Sequence, residues 1–168
     1  MTTRTSAGIL LYRTGDDGLE LLLAHPGGPF FATRDDDVWS IPKGEPDDDG
    51  EPLASVAERE FIEETGHTLP AGPRLDLGSI VQKGGKVVFA WAVEGDLDPS
   101  SATSNRFELE WPPRSGQMRS FPEIDQVAWF RPDEARRRVK AAQIPFIDRL
   151  EAALHPASTD GASRAGPD

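Results

Sequence analysis

Three glutamates set within little more than one helical turn, Glu60, Glu63 and Glu64, are the residues whose type and spacing point most directly to chemistry. At 100° per residue, Leu53, Val56, Ala57 and Phe61 make one apolar stripe, as a packed helix requires. Glu60 and Glu64 fall along nearly the same line as Leu53 and Ala57, and Glu63 lies on its edge. The carboxylates therefore stand where the pattern expects core. They also gather at the C-terminal end, where the helix dipole disfavours negative charge. Each like-charge pair one turn apart costs roughly a few tenths of a kcal/mol even when exposed, and burial raises that cost steeply. A hard divalent cation removes the conflict, because Mg²⁺ takes carboxylate oxygens together with substrate phosphates. The competing explanation is a solvated acidic helix face, the usual fate of charge runs.

The element that must carry these side chains is a loop feeding a helix, Gly44 to Gly66. Pro52 suits the first helical position, where its missing N–H is no loss. Asp47, Asp48, Asp49 and Glu51 crowd the start, where the dipole favours negative charge. Thr65-Gly66 supplies an exit, with Gly66 free to turn left-handed. The pattern predicts a helix over Leu53 to Thr65.

The spacing decides between the two explanations. Glu51-x7-Arg59-Glu60-Phe61-x-Glu63-Glu64-x-Gly66 resembles the Nudix box, G-x5-E-x7-R-E-U-x-E-E-x-G-U with U apolar, and Pro42-Lys43-Gly44 resembles its lead-in. The resemblance extends over roughly residues 4–154, and its specificity resides in residues 42–66. Two departures stand out. Six residues, not five, separate Gly44 from Glu51, and His67 takes the apolar place after Gly66. The first bears on the Gly44 carbonyl; the second bears on packing.

Composition narrows the field. A chain of 168 residues is read as one domain, residues 1–154, with a disordered tail over 155–168. No cysteine is present, which removes disulfides, thiolate metal sites and cysteine nucleophiles. No signal-like apolar core and no run approaching the ~18 residues of a membrane span occur, so a cytoplasmic location is expected. The formal charge of −11 is concentrated: residues 35–64 hold 12 acids and only Lys43 and Arg59 as bases. Such a surface argues against nucleic-acid backbones as partners. An anionic substrate would approach it only with cations bound.

Along the chain, Ser6 to Arg13 and Leu19 to His25 read as strands joined by turn chemistry, and Val38 to Pro42 as a short strand leading into Lys43-Gly44. Leu75 to Gln82 and Val87 to Glu94 read as a hairpin around Gly84-Gly85. Residues 95–120 are irregular apart from a short strand at Phe107 to Trp111; Arg106, Arg114, Arg119 and Trp111 there could hold phosphate and a base, or form a plain surface loop. Phe121 to Phe130 returns to strand, Asp133 to Lys140 and Pro145 to Leu154 to helix. Trp39 fits either core or the wall of a substrate pocket. Glu45-x-Asp47-x-Asp49-Gly50 imitates the opening of a calcium loop, but Val56 fills the place of its bidentate acid.

The Nudix resemblance implies an α/β fold, an α/β/α sandwich around a mixed sheet. It implies hydrolysis of a pyrophosphate bond in a nucleoside diphosphate linked to another group, most simply a nucleoside triphosphate. It also implies Mg²⁺, with Mn²⁺ able to replace it, held by Glu60, Glu63, Glu64 and the Gly44 carbonyl. Glu63 or Glu123 would accept a proton from water, with Arg59 and Glu51 bracing the site. Lys43, Trp39, Arg114 and Arg119 are the candidates for substrate contact. The expected partner is a small-molecule nucleotide, with a homodimer compatible and neither nucleic acid nor membrane required. A diadenosine polyphosphate hydrolase and a non-catalytic nucleotide sensor remain the alternatives.

Overall fold

Two unbroken apolar runs build the centre of the molecule: β1 (Thr5–Gly15) and β2 (Gly18–Pro26) pair as an antiparallel hairpin buried on both faces. The computed structural model describes residues 4–155. β3 is only Lys43–Gly44, followed by α1 (Leu53–Thr65), β4 (Leu75–Val81) and β5 (Val87–Glu94). A 3₁₀ turn at Pro99–Ser101 leads into a hairpin of β6 (Arg106–Glu110) and β7 (Met118–Pro122). Then come β8 (Ile124–Phe130), α2 (Pro132–Arg138) and α3 (Ile144–Leu154). The main sheet runs β4-β5-β1-β2-β8, with β3 on β1. β1 and β5 are parallel and the other pairs antiparallel, so the sheet is mixed.

Alternation along β1 divides the core into two layers. Ala7, Ile9 and Leu11 face α1, packing with Val56, Ala57 and Phe61. Leu10 and Tyr12 face the other way, toward Phe146, Ile147 and Leu150 of α3. Helices thus cover both faces of a mixed sheet, the expected α/β/α sandwich. No helix among the described residues is long and apolar enough to cross a membrane.

Several element boundaries differ from the expectation. Pro52 lies one position early, as N-cap to α1, and its carbonyl accepts from Val56 N–H. No acid occupies the first turn of α1. The strand expected at Val38 to Pro42 is reduced to isolated bridges at Trp39 and Ser40, with β3 beginning at Lys43. Pro42 has no N–H to extend a ladder. The segment from Phe121 to Phe130 is two strands, because β7 pairs with β6 while β8 pairs with β2. Glu123 is the joint between them. Residues 95–120, expected irregular, hold most of the β6–β7 hairpin. α2 stops at Arg138, and Val139 leaves it extended to bridge Trp39. Of the predicted tail only His155 is described; residues 156–168 lie outside the described residues.

Candidate active site

β3 is two residues long and divides its side chains between the two faces of the sheet. A Cβ on Gly44 would run into the Glu60 carboxylate, so the glycine lets the box helix close on the strand. Lys43 lies opposite Gly8 on β1, and a Cβ at Gly8 would meet the Lys43 Cβ at 2.6 Å. The carboxylate layer is therefore on the α1 side and the lysine on the α3 side of one sheet rim. The extra residue between Gly44 and Glu51 is taken up in the loop: Asp47 N–H donates to Glu51 and the Glu45 carbonyl accepts from Arg59.

Arg59 is the tie between loop and helix. Its Nε and Nη2 donate to the two Glu51 oxygens, each at 2.9 Å, and Nη1 donates to Glu60 at 2.9 Å and Glu63 at 3.3 Å. The Glu51 carboxylate foremost among these partners raises the guanidinium above its ordinary range. Glu51, beside it, is held below the usual carboxylate range.

Glu60, Glu63, Glu64 and Glu123 line one cleft together with Ser6, Lys43, Gly44, Lys86 and Asn105. Its volume is about 460 Å³. Burial, then the charge of Glu60, push the Glu64 carboxyl up to about 8. Burial and then Glu63 raise Glu60 in the same direction. Lys43 is pulled down to about 8 by burial, then by the like charges of Lys86 and Lys140. The Glu64 carboxylate accepts the Lys43 backbone N–H at 3.3 Å. Four carboxylates gathered on one recess supply the hard oxygen donors a divalent ion takes. The fit is one of chemistry: as the side chains stand, no three acids among the described residues converge on a single metal position. Arg59 holds Glu60 and Glu63 instead.

Not every candidate residue reaches this cleft. Trp39 is core, 3% exposed, its indole N–H donated to Asp35 and its ring packed edge-on to His25 and Phe130. Arg114 and Arg119 stand on the β6–β7 hairpin and do not line the cleft. Arg106 spends its guanidinium on Ser120 across the same hairpin. Glu123, by contrast, is exposed beside the cleft, with its N–H donated to the Asn105 carbonyl. Asn105 N–H in turn donates to the Glu63 carbonyl, so the base of the hairpin is stitched to the box helix. Val56, the residue at the last place of the calcium-loop imitation, is fully buried, and Glu45 pairs with Arg4 and Lys86.

Sequence reading missed Ser6 and Asn105, which line this cleft. Ser6 is fully buried, and among the described residues its hydroxyl has no hydrogen-bond partner. Neither sits in a local pattern; each is brought in by pairing between distant segments.

The NUDIX domain profile matches residues 2–150. An 8-oxo-(d)GTP phosphatase of Mycolicibacterium smegmatis is 39% identical over 86 residues, 49% of this chain. The match spans 26% of that relative's length. An Ap4A hydrolase of C. elegans, solved as a binary complex, superposes with a TM-score of 0.63 at 20% identity, covering 90% of this chain and 98% of that one. The NUDIX domain of Shewanella oneidensis NrtR, solved with ADP ribose, gives a TM-score of 0.61 at 15% identity over 92% and 90%. With the box residues on one helix, that helix against a mixed sheet, and the profile spanning most of the sequence, this chain belongs to the Nudix family.

Proposed function

We propose that residues 1–154 act as one unit that hydrolyses a pyrophosphate bond in a nucleoside diphosphate-X compound, with a nucleoside triphosphate as the preferred class. The observation that carries this reading is the meeting of Glu60, Glu63 and Glu64 from α1 with Glu123 from the β7–β8 joint across a single cleft. The Mycolicibacterium relative, named for a nucleoside triphosphate, supports the choice of class.

Glu60, Glu63, Glu64 and the Gly44 carbonyl would hold the divalent ion. Bound there, magnesium supplies Lewis acidity toward phosphate oxygens and toward water. The chain's own residues do the rest. Glu123 is the better base: among the described residues its carboxylate has no cationic partner, whereas Glu63 already contacts Arg59. Arg59 and Glu51 keep the loop on the helix, so that Gly44 stays against Glu60. Lys43 presents an ammonium to phosphate from the opposite face of the rim.

The test is a panel of nucleoside di- and triphosphates, diadenosine polyphosphates and ADP-ribose, incubated with Mg²⁺ or Mn²⁺ and scored for released phosphate and pyrophosphate. Turnover of triphosphates, lost with EDTA, is expected. Tight nucleotide binding with no turnover under any divalent ion sinks the enzyme reading and leaves a sensor.

A further inference from the structure

Glu123 sits in a gap between two ladders. The last pair of the hairpin is Pro122 with Arg106, and the first pair of β8 is Ile124 with Pro26, where the register slips. Neither ladder pairs the residue between them, and Pro122 brings no N–H to help. The backbone of Glu123 is held from two other sides. Gly27 N–H donates to its carbonyl at 2.9 Å, and its own N–H donates to the Asn105 carbonyl at 2.7 Å.

Residues 101–105 form a strap from that joint to the carboxyl end of α1. A helix leaves its last carbonyls without intrahelical partners, and the strap satisfies two of them. Thr103 N–H donates to Thr65 at 2.9 Å, and Asn105 N–H to Glu63 at 3.0 Å. Gly66 lies flush against the strap, since a Cβ there would stand 2.5 Å from Thr103 Oγ1. His67, in the place after Gly66 where the box pattern has an apolar residue, serves the same contact: its Nε2 lies 2.9 Å from the Ser101 hydroxyl. Ser104 closes the strap onto the joint. Its Oγ accepts Ile124 N–H at 3.0 Å, and its single proton faces the carbonyls of Asn105 at 2.8 Å and Ile124 at 3.1 Å. Ser104 thus grips the backbone next to Glu123 and the carbonyl that holds Glu123.

We propose that Ser104 is a positioning residue for the hydrolysis: its hydroxyl sets Glu123 at a fixed distance from Glu60, Glu63 and Glu64, with the strap as the spacer. A general base must stand within hydrogen-bond reach of the proton it takes, and a misplacement of about 1 Å can cost about 100-fold in rate. This role rests on the reading of Glu123 as the base; the clamp of Ser104 on Ile124 does not.

The test uses the full chain with Mg²⁺ and a nucleoside triphosphate, and melting curves check the fold of each variant. Ser104→Ala is expected to lower kcat about tenfold and to move KM by less than about twofold. Ser104→Thr, which keeps the hydroxyl, should bring kcat back to within about threefold of wild type. In a Glu123→Gln background, Ser104→Ala should change kcat by less than about twofold, because the residue it positions no longer acts. In metal-free protein, Ser104→Ala should speed amide hydrogen exchange at Ile124 at least ~10-fold and leave α1 unchanged. The proposal is refuted if Ser104→Ala keeps kcat within about twofold of wild type, or lowers it as far with Glu123→Gln as without. If Glu123→Gln alone turns over within a few-fold of wild type, the base assignment fails and the role of Ser104 with it. If the wild type hydrolyses no nucleotide, the hydrolytic reading fails; faster exchange at Ile124 then upholds the clamp, and unchanged exchange refutes that as well.

Discussion

Glu64 is where stability and chemistry oppose each other. Its carboxyl is pushed from an ordinary 4.5 up to about 8 by burial and by Glu60. A raised pKa contributes stability that is complete below about 4.5 and is lost as pH rises through 8. Lys43 runs the other way: lowered from 10.5 to about 8, it contributes stability above 10.5 that is lost as pH falls through 8. Metal-free protein should therefore be least stable near pH 8, with the melting temperature falling between pH 5 and 8. Calorimetric scans in EDTA check this. Glu64→Gln should flatten most of the fall, leaving the smaller part due to the raised Glu60, and stabilise the metal-free protein at pH 8 by about 1–3 kcal/mol. The same substitution should lower turnover at least ~100-fold, because a neutral amide cannot meet a divalent ion as a carboxylate does. A Glu64→Gln protein with turnover within a few-fold of wild type would remove the metal assignment.

At the scale of elements, the short strand β3 must lie against β1 on one side and α1 on the other. Gly8 permits the first contact: a Cβ there would stand 2.5 Å from the Pro42 carbonyl oxygen, which is backbone and has nowhere to go. Gly8→Ala should cost about 2–4 kcal/mol in denaturant unfolding, as overpacking into fixed backbone does. Arg59 secures the second contact through Glu51. Glu51→Gln should reduce kcat about 10–100-fold with a smaller change in KM, since it loosens a positioning residue and leaves the carboxylates in place. A change confined to KM in steady-state assays would assign Glu51 to substrate binding instead.

Across the whole molecule, Gln143 joins segments that no local pattern connects. It is 1% exposed; its amide oxygen accepts from Ile41 N–H, and its nitrogen donates to Ser40 and to Gln82. The lead-in to the box, the end of β4 and the start of α3 are held together there. Gln143→Leu keeps the volume but leaves Ile41 N–H buried and unpaired, which should cost about 1–3 kcal/mol in thermal or denaturant unfolding.

The box helix was legible from the sequence to its boundary residues, because 3.6-residue periodicity and the left-handed Gly66 are local properties of the chain. The placement of Glu60, Glu63 and Glu64 beside one another followed from the same periodicity. Strand limits were less legible where proline and changes of partner decide them, as at Pro42 and Glu123. What only the tertiary structure decided is which other side chains line the cleft beside that helix. Ser6, Lys86, Asn105 and Glu123 come from four separate segments, and Trp39, which the sequence leaves between core and pocket, is core. Pairing across a sheet and packing between layers depend on contacts far apart in the chain, and a single sequence carries no local trace of them.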